Sequence, residues 1–366
     1  MNHCKHFLHY SRHVLVPVLF VLSTFSLHAQ TRYVDASAFP LLGKSTTHTL
    51  SRYDRLIDSL QGKIREPLWI LGRNTAGLAI RFRSNSSKIC LRWVVRFNNH
   101  MSHMTDTGIK GLDLYMLLPD GTWRFARSAR PDGKYNETTV IENMTPQDRE
   151  YLLYLPLYDG IDSLQIGVDT QAKLQLPLLE TPVRTKPLVF YGTSILQGGC
   201  ASRPGMAHTN ILERRLNREC INLGFSGNGL LDMEIARMMT EVDASVFILD
   251  FVPNASVEQM KESLVPFYRI LRNKHPKTPI LFVEDPHYPH ALFDQKIARE
   301  VADKNAMLNA IFNQLKAQGE KNIYLLHSVN MIGNDGEATV DGIHFTDLGM
   351  MRYADFLEKE LKKLIR

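Results

Sequence analysis

Between Leu78 and Val168 the apolar positions fall in short runs, LAIRFRS (78–84), KICLRWVVRF (88–97), LDLYMLL (112–118), TWRFARS (122–128), REYLLYLPLY (149–158) and SLQIGV (163–168). Turn signals such as PDG at 119–121 and 131–133 separate them, and no full-length helical period intervenes. That pattern predicts a β-sandwich of the jelly-roll type. Beyond Pro187 the rhythm changes. Strands predicted at 188–193, 220–225, 244–252, 279–284 and 322–328 alternate with the helical segments ILERRLNR, LLDMEIARMMTEV, SVEQMKESLVPFYRILRNK and DQKIAREVADKNAMLNAIFNQLKAQ, and the amphipathic DLGMMRYADFLEKELKKLI closes the chain. Runs such as SVFILDFV are apolar on both faces, as a parallel sheet covered by helices on each side requires. The expected fold is α/β: a three-layer α/β/α domain over 183–366, preceded by a sandwich over 30–182, with the Pro- and Thr-rich LPLLETPVRTKP at the junction.

Composition narrows this picture. The chain has 366 residues, 44% hydrophobic and 22% charged, enough for substantial cores. Lys5 and Arg12, the apolar run VLVPVLFVLSTFSL and then His28-Ala29-Gln30 have the layout of an export signal cleaved after Ala29. Pro17 interrupts that run, which is short beside the roughly 20 residues of a bilayer span, so no membrane span is expected to remain after cleavage. Loss of residues 1–29 removes two positive charges and lowers the net charge from +5 to about +3. With no basic block, nucleic acid is not expected as a partner. Cys90, Cys200 and Cys220 remain, compatible with one disulfide, Cys200 and Cys220 being nearest in sequence, or with free buried thiols. No spacing signals a metal site or a cofactor.

In an open α/β sheet, ligands bind at the carboxyl ends of the strands. The first predicted strand ends at Ser194, the second at Ser226-Gly227-Asn228-Gly229 and the third at Pro253-Asn254, while the loop MIGNDGEATVDGIHF after the fifth carries Asp341 and His344. Singly, each has an ordinary role as a cap, turn or loop residue. Together they supply what acyl transfer needs: a nucleophile in Ser194, a base in His344 and a carboxylate in Asp341 to orient it. The backbone N–H groups of Ser194 and Gly227 and the amide of Asn254 complete the set as an oxyanion hole.

On these residues the chain resembles the SGNH (GDSL-type) hydrolases: Ser194 in YGTSI, Gly227 in GFSGNG, Asn254 in VPN and His344 in DGIHFTDLG, with Asp341 at the spacing that family uses. Thr193 stands where G-D-S has aspartate, and Asn254 follows proline where G-x-N-D is commoner. GLDLY at 111–115 resembles the β-sandwich that precedes this hydrolase in one subgroup, and QGGCASRPGMAHTNIL belongs to the same subgroup pattern. The resemblance implies a flavodoxin-like parallel sheet and a secreted, metal-independent serine esterase. Its implied substrate is an O-acyl, most simply O-acetyl, ester on a small molecule or polysaccharide, with Arg203 lining the site. A lipid acyl hydrolase or thioesterase is the alternative within the family; a carbohydrate-binding protein with a vestigial hydrolase domain is the alternative outside it. A G-x-S-x-G elbow is absent. His287 and His290 in EDPHYPH are expected near the cleft, His287 as a candidate substrate contact. Asp250 is expected to hold a structural hydrogen bond, and Trp93, Trp123, Tyr115 and Tyr135 to serve the sandwich core more than sugar stacking.

Overall fold

The computed structural model describes Met1 and residues 30–365; apart from Met1, the expected export signal lies outside the described residues. The N-terminal strands are, in chain order, β1 (Thr31–Asp35), β2 (Leu41–Leu42), β3 (Ala79–Ser84), β4 (Ile89–Val95), β5 (Leu112–Leu117), β6 (Trp123–Ala129), β7 (Tyr135–Ile141), β8 (Arg149–Tyr154), β9 (Ile161–Asp169) and β10 (Leu174–Gln175), with short helices α1 (Glu66–Leu71) and α2 (Asp106–Ile109) among them. They make two antiparallel sheets, ordered β1-β9-β4-β7 and β10-β3-β8-β5-β6 with β2 added beside β3. Phe82, Leu91, Trp93, Leu114, Leu153 and Ile166 fill the space between the sheets. Trp93 is thus a core residue whose indole donates to the Lys110 carbonyl at 3.1 Å. Tyr115 is also buried, Trp123 lies under the Arg81 guanidinium, and Tyr135 stands in solvent.

The C-terminal half continues with β11 (Val183–Gly192), α3 (Ser194–Gln197), α4 (His208–Leu216), β12 (Arg218–Gly224), α5 (Met233–Met239), β13 (Val246–Asp250), α6 (Val257–Lys274), β14 (Ile280–Val283), α7 (Gln295–Ala317), β15 (Ile323–Leu326) and α8 (Asp347–Leu364). All five strands are parallel in the order β12-β11-β13-β14-β15, the flavodoxin-like order, in which β11 and β13 flank the switch point where ligands bind. Successive residues of β11 feed opposite cores. Val189 and Tyr191 pack with Phe247, Leu249 and Phe267, whereas Leu188 and Phe190 pack with Ile248, Leu281 and Tyr353. This two-sided burial is why the strands read as continuous apolar runs.

The segment around Leu56, Leu60, Leu68 and Trp69, N-terminal to most of the sandwich, packs into the first of these cores. Beside it the fully buried Arg55 donates to the carbonyls of Asn222 at 3.0 Å and Gly224 at 2.9 Å, and to those of Leu71 and Asn74. Chain from the first half thereby ties down the end of β12, immediately ahead of Ser226-Gly227. Cys90, Cys200 and Cys220 are free and buried, so Cys200 and Cys220 do not form a disulfide.

Asp250, at the end of β13, accepts from the Tyr353 hydroxyl of α8 at 2.8 Å. Burial pushes its carboxyl up from 3.8 to about 7, against the opposing Tyr353 hydrogen bond. The folded protein keeps this proton where the unfolded chain has lost it. Stability from this group is therefore full below about pH 4 and lost as the pH rises towards 7, on the order of a few kcal/mol. In a series of melting temperatures against pH, Asp250→Asn is expected to flatten that part of the profile.

Candidate active site

The tip of β11 approaches β13 so closely that a Cβ on Gly192 would sit 2.1 Å from the Asp250 carbonyl oxygen. Glycine there lets the strand run to its end before Thr193, in extended backbone, turns the chain into α3. Ser194 is the first residue of that turn, so its N–H has no acceptor within the helix. Its side chain is held up at the strand tip, 7% exposed.

The loop between β15 and α8 folds back on itself. Val340 N–H donates to the His344 carbonyl at 2.8 Å and Thr346 N–H to Ala338 at 2.9 Å. Gly342 turns the loop with φ +92°, and Phe345 anchors it in the core against Tyr353. Asp341 and His344 are thereby fixed side by side: the imidazole Nδ1 lies 2.7 Å from Asp341 Oδ2, and Asp341 Oδ1 accepts from the N–H groups of His344 at 2.8 Å and Ile343 at 3.0 Å. Partial burial alone would raise the Asp341 carboxyl, but these bonds outweigh it and hold the pKa down to about 2. The ionised carboxylate accepts a hydrogen bond from Nδ1–H, which keeps the ring proton on Nδ1 and leaves the lone pair on Nε2, 2.9 Å from Ser194 Oγ.

The other side of the serine carries candidate donors. Gly227 has φ +66°, and a Cβ there would point into open space. Its neighbour Ser226 donates its N–H to Gln197 Oε1 at 2.9 Å, and the amide of that buried glutamine is held in turn by Asn74 and the Leu157 carbonyl. Asn254 accepts from Gly229 N–H through Oδ1 at 3.2 Å, so its amide N–H₂ is the part left to donate. Ser194, Gly227, Asn254 and His344 open on one cleft of about 360 Å³. Its far wall holds Asp285, Tyr288 and His290 after β14, and Ile297, Glu300, Val301 and Lys304 of α7. Burial lifts the Asp285 carboxyl to about 6, opposed by the Tyr288 hydroxyl 2.8 Å from its Oδ1 and by the charge of Lys304. One supporting residue has no signal in the sequence, the buried Tyr158, which donates to the Ser194 carbonyl at 3.1 Å; Gly199, one of the two glycines that follow Ser194 in SILQGG, leaves room where a Cβ would lie 3.1 Å from His344 Cδ2. The α7 wall did have a signal, a mixed charged and apolar stripe at spacings of three and four.

Two expected substrate contacts stand elsewhere. Arg203 is drawn to the sandwich, where its guanidinium donates to Asp113 at 2.8 Å and to the Tyr115 hydroxyl at 2.8 Å and lies over Phe125; Asp113 is fully buried and also accepts from Gly205 N–H. This ion pair joins the two halves and lies outside the cleft. His287 is exposed and off the cleft, because the chain turns at Tyr288-Pro289 and presents His290 instead. Arg203→Ala is expected to lower the melting temperature, by roughly 2–3 kcal/mol of stability since the arginine is partly exposed, while leaving KM for a small ester unchanged. A raised KM without loss of stability would make Arg203 a substrate contact.

Residues 185–362 match the GDSL-like Lipase/Acylhydrolase family, and residues 31–174 match GxDLY, the N-terminus of SGNH-hydro-type esterases. A crystal structure from Bacteroides ovatus, named as a GDSL-like lipase, is 37% identical over 92% of this chain and 98% of that one, with a TM-score of 0.87. Fold and comparisons make the protein a hydrolase acting on esters. The chain belongs to the GDSL-like lipase/acylhydrolase family. A salicylyl-acyltransferase from a tetracycline biosynthetic pathway shares the fold at 18% identity, covering 92% of this chain and 99% of its own, with a TM-score of 0.73. A family two carbohydrate esterase from Cellvibrio japonicus does so at 13% identity, 92% and 98% coverage and a TM-score of 0.59. No curated protein matches the chain.

Proposed function

We propose that the protein is an exported serine esterase that removes short acyl groups, O-acetyl above all, from carbohydrate through a covalent acyl-enzyme. The observation that carries this reading is the unbroken line from Ser194 Oγ through His344 to Asp341. Ser194 attacks the ester carbonyl as His344 Nε2 takes its proton. Asp341 holds the ring in the tautomer that can accept, and steadies the imidazolium that forms. The N–H groups of Ser194 and Gly227 and the Asn254 amide receive the oxyanion. His344 then returns the proton to the leaving alcohol, and water repeats the sequence to release the acid.

Charged side chains beside the nucleophile favour a short acyl group. Glu300, half exposed and paired with Lys304 at 2.9 Å, would lose hydration against a long hydrocarbon chain, at a cost no hydrogen bond from that chain could offset. The same groups can hydrogen-bond to the hydroxyls of a sugar. The leader-like residues 1–29 support export; among the described residues no helix is long and apolar enough to cross a membrane. In this reading residues 30–182 form a sandwich domain that braces the hydrolase at 183–366.

The test is a panel of acetylated xylan, acetylated pectin and p-nitrophenyl esters of rising chain length. Activity is expected to be highest on acetyl esters and to fall with chain length; a preference for long chains would favour a lipid acyl hydrolase. Asn254→Ala should lower kcat roughly 100- to 1,000-fold with little change in KM. An unchanged kcat would remove Asn254 from the oxyanion hole while leaving the triad standing.

A further inference from the structure

The ring of His344 has neighbours that the reaction above does not use. His103, in the turn between Met101 and Met104, and Cys200, in the loop after α3, each offer a ligand atom, and with one from His344 all three lie within 4.8 Å of one another. The two imidazoles stand 5.3 Å apart, centroid to centroid. Cys200 is buried with Sγ 3.3 Å from the His103 carbonyl oxygen, to which its thiol donates, so the two loops are already fastened together. The absent Cβ of Gly199 lets the Cδ2 edge of His344, next to Nε2, lie against this segment.

Two imidazoles and a thiol form the donor set of a borderline or soft divalent cation. Zinc binds nitrogen at roughly 2.0–2.1 Å and sulfur at roughly 2.3 Å, which puts tetrahedral ligands about 3.3 to 3.6 Å apart. Side-chain movements of about 1 Å would close the present cluster to that size. His344 is already prepared as a ligand, since its Nδ1–H is held by the Asp341 carboxylate at 2.7 Å, the outer partner that metal-bound histidines ordinarily have. A neutral imidazole has one free lone pair, and here it is the pair that receives the Ser194 proton.

We propose that His103, Cys200 and His344 form an inhibitory site for a thiophilic divalent cation of the zinc class, which takes the Nε2 lone pair of His344 and withdraws it from Ser194. The proposal rests on His344 being the general base. On binding, a sulfur–metal bond forms as the Cys200 thiol releases its proton to solvent. Nε2 exchanges the hydrogen bond from Ser194 for a dative bond, the serine keeps its proton, and water fills the fourth position. No oxidation state changes. The donors come from positions 103, 200 and 344, too far apart for any ligand spacing to appear in the sequence.

Ester hydrolysis by the purified protein is measured against added zinc, with and without a chelator, for wild type, His103→Ala and Cys200→Ser. Zinc is expected to inhibit the wild type and the chelator to restore it. Both variants should keep their metal-free rate and need at least about tenfold more zinc, because losing even an outer partner costs roughly 10- to 100-fold in affinity. In parallel, Co²⁺ added to the wild type should give a near-ultraviolet thiolate-to-cobalt absorption that Cys200→Ser lacks. That readout needs no esterase activity, so it decides the metal site even if the hydrolytic reading fails. His103→Ala, a change on a partly exposed turn, carries the comparison if Cys200→Ser does not fold. No cobalt–thiolate absorption in the wild type, or equal zinc sensitivity in wild type and His103→Ala, overturns the proposal.

Discussion

Replacing Ser194 with alanine is expected to lower kcat on a small activated ester by roughly 10,000- to 1,000,000-fold. The change deletes the atom that would carry the acyl group, at a position where the Oγ meets His344 Nε2 at 2.9 Å. His344→Ala should fall to a similar floor, since without the imidazole the hydroxyl keeps its proton at neutral pH. The double variant should fall little further, because nucleophile and base act as one unit and their losses do not add. Steady-state kinetics on the three proteins, with melting temperatures to exclude unfolding, measure this. A Ser194→Ala variant retaining more than about a hundredth of wild-type kcat would contradict it.

Asp341→Asn should cost about 10,000-fold in kcat with the fold intact. The carboxylate receives the imidazole Nδ1–H and two backbone N–H groups. Asparagine can still accept through its carbonyl oxygen from the backbone, but it then turns N–H₂ towards Nδ1. The ring must shift its proton to Nε2, which faces Ser194 and can no longer accept. The pH dependence follows from the depressed carboxyl. A group whose pKa falls from 3.8 to about 2 on folding stabilises the folded state above about pH 4, and that contribution is lost as pH falls towards 2. The carboxylate stays ionised through the working range, so an acid limb in kcat/KM centred above pH 4 belongs to another group. If Asp341→Asn shifted such a limb without lowering its plateau, the orienting role would be wrong.

Much of the fold was legible because two-sided burial writes itself into sequence as unbroken apolar runs: SVFILDFV could hardly lie anywhere but the middle of a covered parallel sheet, and β13 sits there. The strands that escaped notice are the two-residue β2 and β10 and, at the two edges of one sheet, β1, TRYVD, and β7, YNETTVI, where side chains in solvent let polar residues mask the strand pattern. At the site, Ser194, Gly227 and Asn254 stood out because each follows the end of a strand, and Asp341 and His344 because they share the loop ahead of the last helix. Arg203 and His287 lie outside the lining of this cleft for different reasons. Arg203, in a loop, found its partner Asp113 90 residues away in β5, a distance over which sequence carries no spacing signal. The histidines of EDPHYPH differ by one turn of chain, and the conformation at Tyr288-Pro289 decides which of them meets the cleft. Cys200 and His103 reach His344 by the same long-range closure.

The central claim is that the hydroxyl of Ser194, activated by His344, forms a covalent bond to the acyl group. The most direct measurement is mass spectrometry of the protein after reaction with a fluorophosphonate, followed by peptide mapping. The account predicts one adduct per chain on the peptide bearing Ser194, absent from Ser194→Ala and formed far more slowly by His344→Ala. An unlabelled wild type, or an adduct on another residue that persists in Ser194→Ala, would contradict it.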